Sequence, residues 1–157
     1  MGKPARYATG TNVPADRSRL EIERLLKRHG ASGFMSGWDE SSCAEQIMCK
    51  LEGRMLKFTV ETPQPSQFMQ TEKGRQRTTN AAEKACEAEH KRRWRALLLL
   101  VKAKLEAIAA ELSTVEHEFL ADIYLPDGNT VGQWIGKQLD EVYEQGGMPP
   151  LLPGRTS

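Results

Sequence analysis

Cysteine is scarce. Cys43, Cys49 and Cys86 are the only thiols in 157 residues, and no two of them form a Cys-x-x-Cys. An odd number at these spacings argues against a disulfide framework and against a zinc cage, and fits a reducing cytosol. Histidine is equally sparse. His29, His90 and His117 are dispersed and lack a metal-like partner at useful spacing, so neither a metal nor another cofactor is expected. No apolar run approaches the roughly 20 residues of a membrane span, and the N-terminus lacks the apolar core of a signal peptide. Met1-Gly2 opens like a myristoylation signal, but Arg6 stands where Ser or Thr is needed. The expectation is a soluble, cytoplasmic protein with no membrane partner.

Chemistry-bearing motifs are missing too. No phosphate-cradling loop, zinc finger, aromatic-rich strand motif or helix-turn-helix is present. Asp39-Glu40 and Asp140-Glu141 are paired carboxylates in surface-like contexts. Cys86 and His90, at i and i+4, come nearest to a nucleophile with a base, but a small apolar residue beside a neutral histidine explains them as well. The chain is therefore read as non-enzymatic.

Glycine and proline are absent from residues 80–112, and this run organises everything else. With Asn80 as cap and Glu83 three residues on, it predicts one helix about 50 Å long. Trp94, Leu98, Val101, Leu105, Ile108 and Leu112 fall on one stripe, with Leu97 beside it. Leu99 and Leu100 point the other way. They need cover from the sheet and the C-terminal helices or from a partner, and are the candidate interface. Lys84, Lys91, Arg95 and Lys102 share a further row, flanked by Arg92. That row is either a solvated face or a phosphate-contacting stripe.

Net charge of +1 hides an asymmetry. Residues 72–104 carry ten Lys/Arg against four Asp/Glu, whereas residues 105–145 carry one against nine. A local basic patch, oppositely charged protomers or internal compensation would each fit this split.

By size the chain is one domain, and no internal repeat is visible. Residues 1–13 read as an extended polar arm. A first helix is expected over residues 16–29, capped by Ser18 with Glu21 and ended by Gly30. Three short strands follow, the first over residues 34–38. In the second Ile47, Cys49 and Leu51 alternate with polar residues, and in the third Leu56, Phe58 and Val60 do so, around a Glu52-Gly53 turn. Residues 62–79 read as a basic linker studded by Lys73, Arg75 and Arg77 and pinned by Phe68 and Met69. Beyond the long helix, Ser113 with Glu116 predicts a short helix burying Phe119, Leu120 and Ile123. After a Leu125–Gly128 turn, Thr130 with Gln133 caps a last helix bearing Val131, Trp134, Ile135, Leu139 and Val142. The tail, residues 146–157, either folds back over the core or serves as a docking peptide.

Several phrases carry a resemblance. They are Phe119-Leu120-Ala121, the run from Leu125 to Trp134, Met148-Pro149 with Leu151-Leu152-Pro153-Gly154, the Arg19–Leu25 stretch, Gly37-Trp38-Asp39, and the Trp94–Leu98 run. Together they resemble a group of uncharacterised small proteins of bacteriophages and prophages. The resemblance spans most of the chain and implies a viral or prophage origin and a bacterial cytoplasm, but transfers no activity and no functional residue.

The expected fold is α+β: an N-terminal helix and a three-stranded antiparallel sheet packed on one long central helix, with two shorter C-terminal helices. The leading functional expectation is an accessory protein that binds a host or defence factor, another phage protein, or itself. The alternative is a nucleic-acid-binding module using Lys73, Arg75, Arg77, Lys84, Lys91, Arg92, Arg95 and Lys102.

Overall fold

The computed structural model describes residues 13–147, so nearly all of the expected arm and tail lies outside the described residues. The architecture is the expected α+β one. Helix α1 (Ala15–Arg28) leads into strands β1 (Ser32–Asp39), β2 (Ala44–Leu51) and β3 (Arg54–Glu61). These form an antiparallel sheet in that order, followed by α2 (Thr79–Ala109), α3 (Val115–Phe119) and α4 (Val131–Gln145).

Helix α1 opens after Pro14, whose carbonyl accepts from the N–H groups of Arg17 and Ser18. Ser18, expected as the cap, is buried inside the helix instead. A proline, with no N–H to give, fits only at or before a first turn, and here it sets the start. Gly30, at φ +90°, ends the helix, and Ala31 N–H returns to the Leu26 carbonyl.

Glu52 and Gly53 both take positive φ, as a two-residue hairpin requires. Cross-strand rows then decide the faces. Phe34–Cys49–Leu56 and Ser36–Ile47–Phe58 lie on one side, where the β2 and β3 members are buried; Met35–Met48–Lys57 lies on the other.

Helix α2 is capped by Thr78, not Asn80: the Thr78 hydroxyl accepts from Ala81 N–H. Both residue types cap well. The preceding loop decides between them, because Arg77 N–H is held by the Met69 carbonyl and brings Thr78 in extended. Trp94, Leu98, Val101 and Leu105 are buried as expected. The helix ends at Ala109, and Glu111 turns left-handed at φ 57°. Leu112 therefore leaves the stripe and is 82% exposed.

The segment expected as a basic linker pinned by Phe68 and Met69 packs against α2 through its 3-10 turn. Pro63 is buried, Pro65–Phe68 forms a 3-10 turn, and Gln70 pairs with Gln76. Beyond α2, Thr114 rather than Ser113 caps α3. Phe119 packs edge-on against Phe58, with ring centroids 5.8 Å apart. Leu120, expected to be buried, is half exposed, because the chain tightens into a 3-10 turn (Leu120–Asp122) and rotates it off the helical face.

Ile123 then pairs with Leu56 at the β3 edge, and Tyr124 N–H donates to the Met55 carbonyl. Thr130 and Gln133 form the expected capping box, and α4 departs. Its main packing is against the Leu120–Asp122 turn. At Gly132 the two backbones come so close that a Cβ would stand 3.0 Å from the Ala121 carbonyl oxygen. Not one residue of α4 is buried. Among the described residues, no helix is long and apolar enough to cross a membrane.

Candidate functional site

Three features have the chemistry to do something: the cations of α2 and its loop, a polar centre between sheet and helix, and the exposed apolar faces.

Lys84, Lys91, Arg95 and Lys102 do share one row of α2, but acids answer several of the expected cations. Lys91 pairs with Glu87 at 2.6 Å, and Arg95 reaches Glu21 of α1 at 3.6 Å. Arg92 grips Glu89 with two N–H donors, at 2.6 and 2.7 Å, and Arg93 adds a third at 2.9 Å. These contacts hold the Glu89 carboxyl below the usual glutamate range and push Arg92 up, the Arg92–Glu89 hydrogen bonds being the largest cause in each case. Arg77 is spent on structure, donating to the carbonyls of Phe68 and Gln70. Lys73, Arg75, Lys84 and Lys102 remain exposed without an ion pair among the described residues.

Lys102 has company that the sequence pattern did not single out. It lines a groove of about 700 Å³ between α1 and the C-terminal half of α2, together with Arg17, Leu20, Arg24, Arg28 and Glu106. The signal was present in α1 as arginines at helical spacing. Only the packing of α1 beside α2 puts them next to Lys102.

Glu45 of β2, His90 and Trp94 form the polar centre. Trp94 Nε1–H donates to Glu45 Oε2 at 2.8 Å, and His90 Nε2 contacts the same oxygen. Trp94 is thus core, as expected, with its one polar atom satisfied; a buried ring cannot stack on a base. Cys86 and His90 do not act as a pair. The Cys86 thiol lies 3.2 Å from the Pro63 carbonyl, to which it donates, and burial raises its pKa despite Arg93 nearby. A protonated, hydrogen-bonded thiol is a poor nucleophile. Cys49 is buried in the core and pushed up to about 11. No group of three His, Cys, Asp or Glu side chains among the described residues could hold a metal ion.

The apolar faces are more extensive than Leu99 and Leu100 implied. Leu99 is half-buried and Leu100 is 52% exposed, so cover for the pair is incomplete. Trp38 is 73% exposed near the end of β1, and Met35 and Met48 lie side by side on the open face of the sheet. Helix α4 adds exposed apolar side chains on both of its flanks. Trp134, Leu139 and Tyr143 are exposed there, Tyr143 at 86%, with Leu120 close by in the turn below.

No protein-family model, curated protein or solved structure matches the chain.

Proposed function

We propose that this chain is a non-enzymatic accessory protein, of the phage or prophage type its sequence resembles, that works in a bacterial cytoplasm by binding other protein surfaces. Helix α4 is its recognition element. One observation carries this: α4 is amphipathic over 15 residues and buries none of them. A helix whose Trp134, Leu139 and Tyr143 stay exposed, while Val131, Ile135 and Val142 are only half-buried, has the apolar surface that helix-in-groove recognition uses. Its outer side is acidic, with Asp140, Glu141 and Glu144 against Lys137, so a suitable partner offers an apolar groove with a basic rim.

The test is capture from a bacterial lysate by immobilised full-length chain, wild type beside Leu139→Ser/Tyr143→Ser. Neither residue is buried, so both baits should fold alike. Proteins held by the wild type and released by the variant are the expected result. Equal capture by the two baits removes α4 as the recognition element.

The nucleic-acid alternative keeps one supporting observation, Lys84 and Lys102 on a single row of α2 and without an ion pair among the described residues. It predicts DNA or RNA binding that falls steeply with salt and is lost in Lys91→Glu/Arg95→Glu. Fluorescence anisotropy at low and moderate salt decides it.

A further inference from the structure

We infer that α4 of one copy seats in the α1–α2 groove of a second copy. The inference rests on α4 being the protein-binding element and names the surface that receives it.

The groove is basic once its internal pairs are discounted. Asp16 is taken by Arg19 at 2.8 Å and Glu21 by Arg95 at 3.6 Å. Arg17, Arg24, Arg28 and Lys102 are left facing Glu106 alone. Leu20 lies half exposed along this lining, with Leu25 buried at its floor. The groove thus offers one half-exposed leucine beside a row of guanidinium groups. Helix α4 presents the complement. Leu139 and Tyr143 form one i, i+4 row, and Asp140 and Glu144 form the row next to it. Apolar meets apolar while carboxylates meet arginines.

The contact has to be between copies. Lys104 holds Asp122 at 3.3 Å, just below the root of α4, whereas Lys102 lines the groove. Two positions apart on a helix, at about 100° per residue, these side chains leave α2 on opposite flanks. A chain's own α4 therefore starts on the far side of α2 from its own groove. Joining unlike surfaces is a heterologous contact: it gives a discrete ring if the rotation closes and a chain of protomers if it does not.

Sedimentation of the full-length protein over a wide concentration range tests this, with Asp140→Lys/Glu144→Lys and Arg24→Glu/Arg28→Glu as variants. The wild-type average mass should climb with concentration and fall back as salt is added. Each variant alone should associate about tenfold or more weakly, because like charges then face each other. An equimolar mixture of the two should recover association, since the lysines of one now meet the glutamates of the other. A wild type that stays monomeric throughout overturns the inference, as does association that survives both reversals. A monomer that binds labelled DNA or RNA through Arg24 and Arg28 also overturns it and makes the groove a nucleic-acid site. If the monomer still captures lysate proteins through Leu139 and Tyr143, self-docking alone has failed and α4 remains a recognition element for other proteins.

Discussion

Helices α1 and α4 are near twins in length, 14 and 15 residues, and each has an apolar and a charged face. Their fates differ. Helix α1 buries Ile22, Leu25 and Leu26 against the sheet and α2; α4 buries nothing. Chain order explains the contrast. Before α4 begins, Phe119 has already filled the space beside Phe58, and Ile123 has taken the edge of β3. Helix α4 packs chiefly on the Leu120–Asp122 turn, with Val131, Ile135 and Val142 only half-buried. Amphipathicity thus records that a face needs cover, and not which molecule supplies it.

The sharpest way to break this contrast is a matched pair of truncations. Leu26→Ala should cost about 2–5 kcal/mol in chemical denaturation, and Leu139→Ala under about 0.5 kcal/mol. Equal losses would mean that α4 belongs to the cooperative core after all. A smaller effect is expected at the seam between β2 and α2. Trp94→Phe removes the N–H that Glu45 accepts together with the pyrrole part of a buried indole, so a loss of about 2–3 kcal/mol is expected from the hydrogen bond and the cavity together. In a Glu45→Ala background the same change should cost about 1 kcal/mol less, the hydrogen-bond share, while the cavity cost stays.

Next comes the cap of α4. Thr130→Ala should weaken that helix by about 1 kcal/mol. It should show as faster amide exchange over residues 131–145, with the global midpoint unmoved if α4 opens by itself. The smallest effect is a pH dependence at Glu89. Its folded pKa lies below the ordinary 4.5, so its stabilising contribution is present above that value and lost as pH falls through the depressed folded one. Wild type and Glu89→Gln should therefore differ in stability at neutral pH and converge as pH falls through the depressed folded pKa. Asp122 acts with the opposite sign. Burial raises its pKa against the pull of Lys104, so stability there is lost as pH rises.

Most of the fold was legible in the sequence because it rests on periodicity. Alternation over Ile47–Leu51 and Leu56–Val60 and the stripe through Trp94, Leu98, Val101 and Leu105 each obey one local rule. Helix starts were less legible where two good capping residues stand close together. Thr78 prevails over Asn80, and Thr114 over Ser113, through the approach of the preceding backbone, which no local pattern contains. The candidate surfaces were legible only in part. Leu100, expected to need cover from the sheet and C-terminal helices or from a partner, is 52% exposed in the single chain. The groove needed α1 to be laid beside α2, and the ion pairs that remove Arg92 and Lys91 from the basic row needed side-chain geometry. In the sequence Leu139 is only one among the apolar residues of the last helix, because periodicity does not say which of them a core will cover.

Gly132 gives α4 the mechanics of a pointer. From there to Gln145 the helix is an arm of about 20 Å, and its angle is set where a missing methyl group lets the backbone rest on Ala121. Each degree of tilt at that pivot swings the tip by roughly 0.3 Å over this length. One added carbon at position 132 would leave the exposed face chemically intact and aim it somewhere else.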